Sequence, residues 1–209
     1  MGFFNWAAPL IRLYGNRFDE DDAERIALWL RPAVSPGGRV LDVGGGAGQL
    51  AHLLADALDA HVTVLDPTPQ MIEHVETDER VDAVNGVAEH LPFADDSFDA
   101  VVVTDAFHHF RHQSSAAREF ARVVRHNGLV LVLDLDPRAR LMPLVVYAER
   151  SVGEPGAFMS PHEMCAFMAK HGIEGECVAE DGSPARSVGR PNSAAYRFLG
   201  CVQKVPAAV

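Results

Sequence analysis

The run Val40-Leu41-Asp42-Val43-Gly44-Gly45-Gly46-Ala47-Gly48-Gln49-Leu50 joins a short apolar stretch to an acid, a glycine cluster and the apolar opening of a helix. Strand, glycine turn and helix in that order make a nucleotide-type cofactor site. Glycine permits positive φ and lets a ligand approach the backbone with no Cβ in the way. The helix N-terminus behind it offers unpaired N–H groups. The spacing narrows the ligand. A dinucleotide fingerprint needs G-x-G-x-x-G or a final Ala; counted from Gly44 and Gly46, its last position falls on Gln49. A phosphate loop needs a closing Gly-Lys-Ser/Thr, which this run lacks. An acid followed by alternate glycines is left: Asp42-x-Gly44-x-Gly46-x-Gly48.

Further candidates lie downstream. The next apolar run ends Val64-Leu65-Asp66-Pro67, where an acid at a strand tip can accept both hydroxyl hydrogens of a ribose. A later run ends in Thr104-Asp105-Ala106-Phe107-His108-His109-Phe110. A histidine there, with a pKa near neutrality, could take a proton from a hydroxyl or amine, so His108 and His109 are the candidate bases. The alternative is that both simply wall the pocket. His108, His109 and His112 also invite a metal reading. It is set aside, because adjacent loop histidines point in different directions and no carboxylate set completes the shell.

The Asp42–Gly48 run resembles the first motif of class I S-adenosylmethionine (SAM) methyltransferases. SAM carries no phosphate, so no Lys is required. The run Gly86-Val87-Ala88-Glu89-His90-Leu91-Pro92-Phe93-Ala94-Asp95-Asp96-Ser97-Phe98-Asp99 is similar to a block of the methyltransferases that include the ubiquinone/menaquinone-biosynthesis enzymes. Glu119-Phe120-x-Arg122-Val123, Asn127-Gly128 and the apolar run Leu129–Leu133 extend the resemblance over residues 38 to about 136. The resemblance implies SAM as methyl donor and S-adenosylhomocysteine (SAH) as product. Gly44, Gly46 and Gly48 would cradle the methionine part, with Asp42 orienting the loop. Asp66 would hold the ribose, with Pro67 and Met71 beside it. Ala88 and Glu89 would edge the adenine, and Asp105 would sit at the mouth with His108. The family carries an acid before Ala88, where it meets the adenine amino group; here that residue is Val87, which cannot accept a hydrogen bond. A SAM-binding but catalytically degenerate partner or regulatory protein is therefore the alternative reading. A nicotinamide-dependent oxidoreductase is a third, opposed by the failed fingerprint.

The elements that must position these residues alternate. Strands are expected at Arg39–Val43, His61–Leu65, Val81–Asn85, Phe98–Thr104, Gly128–Leu133, around Val178 and at Ala194–Val202. Helices are expected at Asp19–Leu30, Gly48–Leu58, Pro69–Thr77, Ser114–His126 and Pro161–His171, the last capped by Ser160. Such alternation implies an α/β fold with a mostly parallel sheet and helices on both faces. The resemblance makes this a three-layer Rossmann-like sandwich of seven strands. Its ligand would lie at the C-terminal strand ends, where Asp42, Asp66 and Asp105 fall.

The 209 residues suit one domain, with residues 1–36 as a helical cap and the apolar insertion 137–159 as a lid. A lid of that kind suggests a small apolar or aromatic methyl acceptor. The net charge of −11 argues against a nucleic-acid partner. Cys165, Cys177 and Cys201 are odd in number and unpaired in sequence, as expected in a reducing cytoplasm. No signal peptide or integral membrane segment is expected. A homodimer is a candidate assembly.

Overall fold

The computed structural model describes residues 18–153, 156–179 and 194–204. Residues 1–17 of the expected helical cap lie outside them.

The strands are β1 (Arg39–Val43), β2 (His61–Asp66), β3 (Val81–Asn85), β4 (Phe98–Thr104), β5 (Val124–Leu135), β6 (Ile173–Ala179) and β7 (Ala195–Val202). The helices are α1 (Glu20–Leu30), α2 (Gln49–Leu58), α3 (Pro69–Ile72), α4 (Gln113–Val123), α5 (Met142–Val152) and α6 (Pro161–Ala169). One seven-stranded sheet has the order β3-β2-β1-β4-β5-β7-β6. Neighbours from β3 to β5 are parallel, and β7 runs antiparallel between β5 and β6.

The central strands are buried on both sides, so their runs are continuously apolar. Successive residues divide between two cores. Val40, Val62, Val64, Ala100, Val102 and Leu131 pack under α1 and α2. Leu41, Val43, Leu65, Val101, Val103 and Val132 pack under α4 and α6. Capping boxes start α1 at Asp19 and α6 at Ser160, satisfying amide donors that a helix N-terminus leaves open.

Several elements differ from the sequence reading. Helix α3 stops at Ile72 and not Thr77, because the chain turns to bury Val75 against Gly48. Helix α4 ends at Val123, since buried Val124 goes extended to pair with Phe98. Strand β6 is seven residues long, an edge strand whose exposed Glu174 and Glu176 conceal its pairing with β7. The insertion 137–159 contains α5, which packs Met142 on Leu135 and Ala139.

From β1 the chain runs outward through β2 and β3, then returns to place β4 on the other side of β1. The β1–β4 boundary is thus the topological switch point, where open α/β sheets leave a crevice. The loops after both strands meet there: a Cβ on Gly44 would lie 2.6 Å from that of Ala106.

Candidate active site

The loop after β1 takes the backbone shape its glycines permit. Gly44, Gly46 and Gly48 have φ of 76°, 56° and 77°. Gly45 is needed for space, because a Cβ there would lie 2.5 Å from Asp42 Oδ2. A Cβ on Gly46 would meet nothing within 4 Å, so the loop's outer face is open.

Asp42 is fully buried beneath this loop, and neither carboxylate oxygen has a hydrogen-bond partner. Burial, with the nearby charge of Asp66, raises its pKa to about 7. Asp66, at the tip of β2, accepts from the Gly46 amide at 3.1 Å and the Thr68 amide at 2.8 Å. It therefore ties the glycine loop to the β2 tip while each oxygen keeps further acceptor capacity. Pro67 and Met71 are exposed beside it.

Beyond β3, Ala88 is buried, while Val87 is exposed and bridges to His90. Glu89 accepts from the His112 amide at 3.1 Å. The following loop is clamped to α4. Glu119 accepts from the Leu91 amide, and Arg122 donates to the Leu91 and Phe93 carbonyls and to Asp95. The Leu91-Pro92-Phe93 block and the Glu119-Phe120-x-Arg122 block are thus one structural unit, which sets the position of Ala88 and Glu89.

Asp105 follows β4 with φ of 52°, a left-handed conformation that Asp tolerates better than most residues. Its amide donates to the Leu133 carbonyl, fixing the turn against β5. Burial raises its pKa to about 6; His108 works against this, and Asp134 and Glu149 add to it.

His108 lies in a 3-10 turn and is 2% exposed. Its Nδ1 is 2.6 Å from Asp134 Oδ1. An ionised carboxylate offers only lone pairs, so Nδ1–H donates and Nε2 is left as the reactive nitrogen. That nitrogen lies 3.6 Å from Glu149 Oε1 on α5. Burial opposes charge on His108, but the Asp134 hydrogen bond and the charges of Asp134, Asp105 and Glu149 outweigh it, so its pKa is raised. Phe158 stacks on the ring, with centroids 4.2 Å apart. The Ala157 amide donates to the His108 carbonyl at 2.7 Å, and Gln113 bridges the Phe107 and Ala157 carbonyls. His109 is exposed, its ring 4.1 Å from that of His108.

The sequence reading found no carboxylates to accompany these histidines. The fold supplies them from distant segments. Ligand-capable atoms of His108, His109 and Glu149 lie within 4.8 Å of one another, as do those of Asp105, His108 and Asp134. Asp134 and Glu149 were missed. Asp134 carried a signal, as an acid near the C-terminal end of an apolar strand, like Asp42 and Asp66. Glu149 carried none.

The residues gathered around the glycine loop suit SAM. The open glycine loop gives backbone access, and Asp42 has two orphaned acceptors. Acids at the ends of β1, β2 and β4 suit a cationic ligand better than a phosphate. Residues 41–132 match the family described as Methyltransferase domain, a span that holds the glycine loop and all three strand-end acids. Over that span the chain resembles the class I SAM-dependent methyltransferases. It is 39% identical over 102 residues to the uncharacterized methyltransferase YcgJ of Bacillus subtilis, covering 46% of this chain and 40% of that one. It is 36% identical over 118 residues to the ubiquinone/menaquinone biosynthesis C-methyltransferase UbiE of Bartonella tribocorum, covering 52% and 45%. The chain thus spans less than half the length of these two relatives. Among solved structures it resembles the Haloferax volcanii chain determined in complex with the Trm112 methyltransferase activator. The TM-score is 0.70 at 18% identity, covering 88% of this chain and 94% of that one, a likeness of fold. No helix among the described residues is long and apolar enough to cross a membrane.

Proposed function

We propose that this protein transfers a methyl group from SAM to a nucleophilic atom of a small molecule. The observation that carries the reading is the buried His108–Asp134 pair beside Asp105, at the switch point where the glycine loop opens.

SAM supplies an already activated methyl group on a sulfonium sulfur, so alignment and exclusion of water are the protein's main tasks. Gly44, Gly46 and Gly48 would accommodate the methionine moiety, Asp66 the ribose, and Ala88 and Glu89 the adenine edge. Asp42, Pro67 and Met71 complete that cofactor set. Asp134 holds His108 in the tautomer that leaves Nε2 able to accept a proton from the acceptor. His109, exposed at the rim, is the weaker candidate for that role. Helix α5 and Phe158 act as a lid over His108, keeping water from the reacting atoms.

The test is SAH formation from SAM by the full chain against a panel of hydroxyl, amine and carbon-acid acceptors. Acceptor-dependent SAH supports the reading. SAM binding without turnover on any acceptor favours the degenerate SAM-binding protein.

A further inference from the structure

Cys165 on α6 and Cys177 on β6 face each other where the helix packs on the sheet, with their Sγ atoms 3.0 Å apart. The sulfurs of a disulfide lie about 2.05 Å apart, so roughly 1 Å of approach completes the bond. A small rotation about each Cα–Cβ bond covers that distance. Both residues are free thiols and only half-buried, beside the outermost strand of the sheet. A cysteine that serves as a small apolar filler is usually buried outright; these two keep a path to solvent. The third cysteine, Cys201, lies on β7 with its sulfur 4.0 Å from Asn127 Oδ1. It stands opposite Glu174, three residues along β6 from Cys177, which puts it about 10 Å away along the strands.

The surroundings give the two thiols unequal roles. Cys177 Sγ donates to the Pro161 carbonyl at 3.1 Å, in the first turn of α6. The hydrogen bond shared by the two sulfurs lowers the pKa of Cys165, and the same bond together with burial raises that of Cys177. The thiolate is the nucleophile in sulfur oxidation, so Cys165 attacks and Cys177 resolves. Pro161 follows directly on the segment that lays Phe158 on the His108 ring. The Tyr196 hydroxyl holds that segment by donating to the Met159 carbonyl at 2.9 Å. A covalent bond from α6 to β6 therefore ties the root of the lid to the sheet edge.

We propose that Cys165 and Cys177 form a site of reversible oxidation, closing with a peroxide as oxidant to a disulfide that clips α6 to β6. The proposal is independent of the methyltransferase reading. The Cys165 thiolate attacks one peroxide oxygen, the O–O bond breaks and hydroxide leaves, so Cys165 becomes a sulfenic acid. Cys177 Sγ then attacks the Cys165 sulfur. The S–S bond forms as the S–O bond breaks, and the Cys177 proton leaves with that oxygen as water. Two thiols and one hydrogen peroxide give one disulfide and two waters. A dithiol reductant reopens the bond and is itself oxidised to a disulfide.

The test treats the full chain with stoichiometric hydrogen peroxide and follows titratable thiols, intact mass, peptide linkage and thermal melting. Titratable thiols are expected to fall from three to one, with a mass loss of two hydrogens and a peptide map that joins Cys165 to Cys177. Closing a loop of this length should raise Tm by about 5–10 °C, and dithiothreitol should reverse every change. Cys201→Ser should behave as the parent. Cys165→Ser and Cys177→Ala should lose both the mass change and the Tm rise; if either folds poorly, the peptide map of the parent and of Cys201→Ser decides. Three thiols retained, a bond to Cys201, cross-linking between chains or addition of oxygen with no internal bond would overturn the proposal. So would an oxidised chain whose Tm is unchanged or lower, since the bond would then not clip α6 in place.

Discussion

His108 Nδ1 and Asp134 Oδ1 lie 2.6 Å apart with both side chains almost wholly shielded from solvent. This buried pair fixes the ring's tautomer and makes His108 easier to protonate. If His108 must be neutral to accept a proton, turnover has to climb with pH through a midpoint above the ordinary histidine value. Asp134→Asn should move that midpoint down and lower kcat by about 100-fold. SAH affinity should be unchanged. A flat pH profile in the unaltered protein would remove His108 from the mechanism.

The glycine loop separates fold from function at one position. A Cβ on Gly46 meets no neighbour within 4 Å, so Gly46→Ala costs the fold only left-handed strain, about 1–2 kcal/mol. A ligand lying on that open face would nonetheless meet the new methyl group. Denaturant unfolding should show the small loss, and calorimetry should show SAH affinity reduced tenfold or more. Gly44→Ala should cost more in folding than Gly46→Ala, because its Cβ would collide with Ala106.

Asp42 carries a pH signature. Its folded pKa of about 7 exceeds the ordinary aspartate value of 3.8. Between these values the folded protein binds a proton that the unfolded chain has released, so stability falls as pH rises from about 4 to 7. Asp42→Asn removes this dependence and should stabilise the ligand-free protein at pH 8 by roughly 2–4 kcal/mol. Thermal melts across pH 4–8 compare the two. Parallel curves would show that Asp42 is not the titrating group.

Much of this architecture was legible in the chain. Apolar runs ending in Asp42, Asp66 and Asp105 marked three strands and the acids at their tips together, because a parallel sheet collects its C-terminal strand tips on one side. Ser160 marked α6 through its capping chemistry. What stayed hidden was set by tertiary contact. Asp134 is 26 residues from His108, and only the pairing of β4 with β5 brings them together. Glu149 reaches the site because α5 packs on Leu135, which no local pattern encodes. Helix α3 looked longer than it is because burying Val75 outweighs local propensity.

Val87 occupies the place where the resembling methyltransferases carry an acid. It is exposed at the loop surface, so an acid there would incur no burial cost. Val87→Asp should strengthen SAH binding several-fold, the worth of about 1 kcal/mol of hydrogen bonding. Calorimetry of the variant beside the parent reads this directly, and no gain would mean that the adenine edge is held elsewhere.

The central claim is that the open glycine loop and the acids around it form a SAM site. Isothermal titration of the full chain with SAM and SAH, with NADH as control, tests it most directly. The account predicts one-to-one binding of SAM and SAH in the micromolar range, about −7 to −8 kcal/mol, and no binding of NADH. Binding of NADH, or failure of both sulfur compounds to bind, would contradict it.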